Sequence, residues 1–188
     1  MPLRGVPVLK KESERKRRGF IHLYTGDGEG KTLTAIGAAV RAVGHGYKVV
    51  IIQFMKGRKD IGEYKIMKRL APEYEIHQFG RGEFIDLENP DPIDYRMAKE
   101  GLEYAKEALR RKPKLLILDE INLAVAIGLL SVEEVLDLLK DVPPSTVVIL
   151  TGRRAPKELM DIADLVSEFR EIKHPMKTGV KARKGIEY

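Results

Sequence analysis

FIHLYTGDGEGKT, Phe20 to Thr32, decides how this 188-residue chain is read. Phe20 to Thr25 alternates and is rich in strand formers, which predicts a first β-strand. Glycines at 26, 28 and 30 then make a loop. Lys31 opens a run of helix formers that lasts to Val43, where Gly44 and Gly46 stop it. Strand, glycine-rich loop and helix in this order are the setting of a phosphate-binding P-loop. Gly26, Gly28 and Gly30 permit positive φ and close backbone approach, so successive N–H groups form an anion nest. The helix behind Gly30 adds the positive end of its dipole. Lys31 is expected to reach phosphate oxygens, and the Thr32 hydroxyl to bind Mg²⁺. The P-loop pattern asks for glycine at its first position, where this chain has Thr25. Asp27 and Glu29 carry the wrong charge for a phosphate cradle, so their side chains are expected to point outward. The whole loop, Thr25, Gly26, Asp27, Gly28, Glu29, Gly30, Lys31 and Thr32, is the candidate nucleotide site.

Further strands are expected at Tyr47 to Phe54, Tyr74 to Phe79, Lys114 to Glu120, Thr146 to Gly152 and, at an edge, Leu165 to Ile172. The runs YKVVIIQF, KLLILDE and TVVILTG are near-continuous and apolar, as in parallel strands covered on both faces. Helices are expected at Ile61 to Leu70, Asp94 to Arg111, Lys157 to Ala163 and Val132 to Lys140, the last with a Ser131–Glu134 capping box. Gly80 to Pro92 holds Gly, Pro, Asp and Asn and is long enough for a functional loop. Alternating strands and helices predict an α/β fold, a mostly parallel sheet with helices on both faces, of the P-loop NTPase (RecA-like) kind. Ligands in such folds sit at the carboxyl ends of the strands.

Two more candidates fall there. Asp119 and Glu120 close an apolar strand, where a carboxylate can hold Mg²⁺ directly or through water, or polarise a nucleophile. Arg153 ends the next strand and suits a phosphate or a carboxylate across the cleft. The four histidines do not cluster at metal-ligand spacing, and no NKxD run supports guanine recognition.

Composition limits the classes. Hydrophobic residues make up 43%, enough for one domain with a core. No apolar run approaches the ~20 residues of a membrane span. No secretory signal pattern and no cysteine are visible, so a cytoplasmic location is expected. Residues 1–18 carry seven basic and two acidic side chains, and residues 173–188 carry five and one. With a net charge of +6, the body between them is mildly acidic. The chain is therefore divided into a basic arm, 1–18, and a P-loop domain, 19–188. Basic ends suit polyanions, either nucleic acid or a ligand's phosphates.

Beyond these motifs the chain resembles the P-loop corrinoid adenosyltransferases. TGDGEGKT, RAVGHG (Arg41–Gly46), QFMKG (Gln53–Gly57), ILDEI (Ile117–Ile121), ILTGR (Ile149–Arg153) and GVKARKGIEY (Gly179–Tyr188) run in family order over residues 19–188. Thr25 in the loop also fits that family. The resemblance implies that a Co(I) corrinoid attacks the 5′ carbon of ATP and triphosphate leaves. ATP is then reversed relative to ordinary P-loop enzymes. It implies Mg²⁺ (or Mn²⁺) on Thr32 and Glu120, with Asp119 behind them or bound through water. Lys31, Glu120 and Arg153 become the catalytic set, and Arg41 a nucleoside contact. It also implies a homodimer, a flavoprotein reductant that supplies Co(I), and an N-terminal arm folded over substrate. One departure stands out. Bacterial members carry an aromatic pair in a GFTW-like run that strips the corrinoid's lower ligand. Here the run is GRGEFID, so Phe84, beside Ile85, is expected on the corrin face. Two alternatives stay open on the motifs alone: a RecA-like nucleic-acid-binding ATPase, and a small-molecule kinase that releases ADP.

Overall fold

The structure is a computed structural model, and it describes residues 18–83 and 85–186. The expected Phe84 contact, nearly all of the basic arm and the last two residues lie outside this range. Six strands form one sheet: β1 (Phe20–Thr25), β2 (Val49–Phe54), β3 (Tyr74–Phe79), β4 (Leu115–Asp119), β5 (Val147–Thr151) and β6 (Leu165–Glu168). Their order is β3-β2-β4-β5-β1-β6. Every pairing is parallel, so the sheet is wholly parallel where the sequence predicted a mostly parallel one. The last strand does lie at an edge. It stops at Glu168, short of the expected Ile172, although Phe169 N–H still donates to Thr25 O at 2.8 Å.

Alternation along the strands divides the core in two. In β4, Leu116 and Leu118 face one side, against α4 (Pro92–Arg110), α5 (Ile121–Ala126), α6 (Val132–Lys140) and α7 (Lys157–Ile162). Leu115 and Ile117 face the other, against α1 (Lys31–Gly44) and two short helices, α2 (Gly62–Lys65) and α3 (Met67–Leu70). Ile61 to Leu70, expected as one helix, thus divides at Ile66. Each large apolar side chain buried between the layers contributes roughly 1.5–3 kcal/mol. The amphipathic α4 starts at a capping box, where Asp91 N–H donates to Asp94 Oδ2 at 3.0 Å, and has Pro92 in its first turn. Its middle carries Gly101, a poor helix former. A Cβ there would sit 2.9 Å from the Phe54 ring and 3.0 Å from the Phe79 ring. The glycine lets α4 lie close on β2 and β3.

Helix α5 is absent from the sequence expectation. There Glu120 continued the strand. In the structure β4 ends at Asp119, and Glu120 turns with φ 64° to start α5. Ser131 caps α6 as predicted, its hydroxyl accepting from Glu134 N–H at 3.2 Å.

Candidate active site

The carboxyl ends of β1, β5, β4 and β2 bring the candidate groups together. The loop after β1 turns at Gly26 (φ 94°) and Gly30 (φ 112°), while Gly28 keeps negative φ. Gly28 is needed for a close approach: a Cβ there would lie 2.7 Å from the Arg170 backbone. Its N–H donates to Phe169 O at 2.8 Å. The segment after β6 therefore buttresses the loop from outside, which the motif did not reveal. Asp27 and Glu29 are exposed, and Glu29 pairs with His174 at 2.7 Å. Thr25, at the non-glycine position, accepts from Ala155 N–H at 3.2 Å and ties the loop to the chain after β5.

Lys31 is buried at 7% exposure. Its Nζ donates to Gly26 O and Gly28 O, both at 2.7 Å, so the ammonium lies across the loop's own carbonyls. Burial pulls its pKa below the ordinary lysine value, against the opposing pull of Glu120.

Asp119, at 1% exposure, is the hub. Its Oδ1 accepts from Thr32 at 2.8 Å and from Thr151 at 2.6 Å. Its Oδ2 accepts from Lys56 at 2.7 Å and Gln53 at 3.0 Å. Burial disfavours the carboxylate, but Lys56 and these hydrogen bonds outweigh it and hold Asp119 below the usual range. Glu120 is pushed the other way, by burial first and by Asp119 beside it, with Lys56 opposing. Its Oε2 is buried without a hydrogen-bond partner, and its N–H donates to Thr151 Oγ1 at 3.0 Å. Adjacent carboxyls in one chain are thus displaced in opposite directions.

Arg153 is exposed at the end of β5 and lies within electrostatic reach of both Lys31 and Glu120. Arg41 is not brought into this cluster. It sits in the last turn of α1, ten residues beyond Lys31 and so roughly 15 Å along the helix.

Three contributors were not assigned from sequence: Gln53, Lys56 and Thr151. Gln53 had a visible signal, a polar residue inside the apolar run VVIIQF. It is fully buried and opposite Asp119 in the β2–β4 register. Lys56 follows β2, and in the sequence only the motif QFMKG marks it.

Hard oxygen donors at Thr32, Asp119 and Glu120, one of them an unpartnered buried carboxylate oxygen, fit a divalent cation of the Mg²⁺ class. A glycine loop with its lysine, facing a strand-end carboxylate one strand removed on a parallel sheet, defines an α/β protein of the P-loop NTPase kind. Similarity to known proteins narrows the class. The family model for ATP:corrinoid adenosyltransferase BtuR/CobO/CobP matches residues 17–188. The corrinoid adenosyltransferase of Escherichia coli (strain K12) is 38% identical over 172 residues, 91% of this chain and 86% of that one. The Sinorhizobium sp. protein of the same name is 37% identical over 196 residues, 98% of this chain and 91% of its own. Corrinoid adenosyltransferase CobA of Salmonella typhimurium is 37% identical over 176 residues, 93% and 88% respectively. This chain belongs to the ATP:corrinoid adenosyltransferase family, a family of transferases.

Proposed function

We propose that the protein transfers the 5′-deoxyadenosyl group of ATP to the Co(I) centre of a corrinoid, releasing triphosphate, in the making or salvage of adenosylcobalamin. The observation that carries this is the Lys31 loop joined to Asp119 through the Thr32 hydroxyl, in a chain of this family. A Co(I) nucleophile needs little activation, so the protein's work is alignment and stabilisation of the leaving charge. The cobalt–C5′ bond forms as the C5′–O bond breaks, and the electron pair leaves on the triphosphate. Lys31 would receive that charge together with the loop N–H groups other than that of Gly28, which is already bonded to Phe169 O. Lys31 then exchanges the carbonyls of Gly26 and Gly28 for phosphate oxygens. Arg153 lies beside the same loop and adds a second cation. Thr32 and Glu120 would hold Mg²⁺ or Mn²⁺, with Asp119 behind them orienting the Thr32 hydroxyl. A bound ion would neutralise the polyphosphate. Arg41 is proposed as a nucleoside contact, which its distance from the loop allows only if ATP extends along α1.

The basic arm is proposed to fold over bound substrate. Arg18 belongs to the domain instead: it pairs with Asp164 at 2.9 Å and donates to Ile162 O at 2.7 Å. That anchor lies at the amino end of the sheet, a strand's length (roughly 20 Å) from the loop. Seventeen residues can span roughly 55–60 Å when extended, so the arm has the reach. Phe84 on the corrin face, homodimerisation, a flavoprotein supplying Co(I) and a cytoplasmic setting complete the reading. None of the described helices is long and apolar enough to cross a membrane.

The test is incubation with ATP, Mg²⁺ and chemically reduced cobalamin. The cobalt–carbon chromophore and stoichiometric triphosphate are expected. ADP from a kinase, or orthophosphate stimulated by polynucleotide, would replace this reading with one of the alternatives.

A further inference from the structure

The site contains a cation of its own. Lys56 Nζ lies 2.7 Å from Asp119 Oδ2 and 3.4 Å from Thr32 Oγ1. Those are a carboxylate and a hydroxyl that a divalent ion on a P-loop takes. The backbone fixes this placement. Met55 turns with φ 57°, and its N–H donates to Phe79 O at 2.9 Å. A Cβ on Gly57 would lie 2.2 Å from Gly80 O, and one on Gly80 would lie 2.3 Å from Lys56 N. Both positions exclude any side chain, so the chains leaving β2 and β3 interlock and present Lys56 from a rigid turn. A lysine carries its ammonium on a flexible four-carbon stem, and this side chain is partly exposed.

We propose that Lys56 is a tethered placeholder: its ammonium neutralises Asp119 until a metal–nucleotide complex arrives, and it competes with bare Mg²⁺ or Mn²⁺ for the site. A carboxylate as buried as Asp119 requires a counter-charge. An ammonium has only donors, so it cannot join a metal's coordination shell. It also repels a doubly charged ion drawn to the same carboxylate. The metal therefore enters with ATP, whose polyphosphate offers the displaced ammonium a new partner. This inference rests on reading Thr32, Asp119 and Glu120 as the metal-binding set.

The test measures Mn²⁺ binding to nucleotide-free protein through the electron paramagnetic resonance of the free ion. Lys56→Met should bind Mn²⁺ at least about tenfold tighter than wild type, and Lys56→Gln should behave alike. Lys56→Arg, which keeps the charge, should stay as weak as wild type. Mn²⁺ should raise the melting temperature of the two neutral variants more than that of wild type, and this also reports their folding. Adding Asp119→Asn should remove the tightened binding. Equal or weaker binding by both neutral variants would overturn the proposal, as would tight binding that survives Asp119→Asn. Wild type that makes adenosylcobalamin while both neutral variants bind Mn²⁺ no tighter would defeat the placeholder and leave the enzymatic reading standing. Wild type that makes none, with tightened binding intact, would do the reverse.

Discussion

Thr151 donates its hydroxyl to Asp119 Oδ1 at 2.6 Å and accepts the Glu120 N–H at 3.0 Å. One side chain from β5 thus sets both acids at the end of β4. Thr151→Val keeps the shape and removes both bonds. It leaves Asp119 with one donor fewer and the Glu120 N–H without its partner. A loss of roughly 1–3 kcal/mol in chemical denaturation is expected, together with adenosyl transfer slowed by about tenfold or more. Thr151→Ser, which restores the hydroxyl, should recover most of the rate.

Lys31 is predicted to act on the leaving group and not on the fold. Lys31→Met should lower kcat by roughly 100–1,000-fold, the range for removing one preorganised donor. Its melting temperature should stay near wild type, since burial already disfavours the ammonium. Single-turnover rates and a thermal melt on the same preparation check both halves.

Gly101 inverts the usual helix rule. Alanine is the better helix former by ~1 kcal/mol, yet its Cβ would press on Phe54 and Phe79. Gly101→Ala is expected to destabilise by a net ~1–3 kcal/mol. Urea denaturation of the two proteins decides the sign.

Arg81 holds the neck of the loop between β3 and α4. It grips Asp94 through Nε at 3.0 Å and Nη2 at 2.9 Å, and reaches Asp91 at 2.8 Å. The Asp94 side chain is fully buried. Arg81→Gln should therefore lower the melting temperature more than the pair Arg81→Gln/Asp94→Asn, because the single change leaves a buried carboxylate without its cation. Thermal melts of the three proteins suffice.

Acid should weaken the fold through His77. Burial holds its pKa below the ordinary histidine value, against Glu75, and its Nε2 lies 2.8 Å from the Tyr104 hydroxyl. The unfolded chain takes up this proton first. The contribution is thus present above about pH 6.5 and is lost as pH falls through the lower folded value. Denaturant midpoints should drop below that pH, and His77→Gln should flatten this part of the profile.

What was legible in the sequence follows from range. The loop at Thr25–Thr32 and the apolar strand carrying Asp119 are local patterns, and both lie where expected except that the strand stops one residue before Glu120. Helix α5, INLAVA, is six residues long, too short to display a helical period. The turn at Glu120 depends on a positive φ that a glutamate does not advertise. Lys56 and Gln53 reach Asp119 only because β2 pairs with β4, an adjacency fixed by the sheet order. The glycines at 57, 80 and 101 owe their place to the chain packed against each of them, which no local pattern displays.

In this enzyme the glycine loop is proposed to hold a triphosphate that departs from carbon. The decisive measurement turns over ATP carrying heavy oxygen at the 5′ bridge with a Co(I) corrinoid. The label should leave with intact triphosphate, as read by mass spectrometry, while the adenosyl group on cobalt carries none. Label retained on the nucleoside, with pyrophosphate, ADP or orthophosphate as the released product, would contradict it.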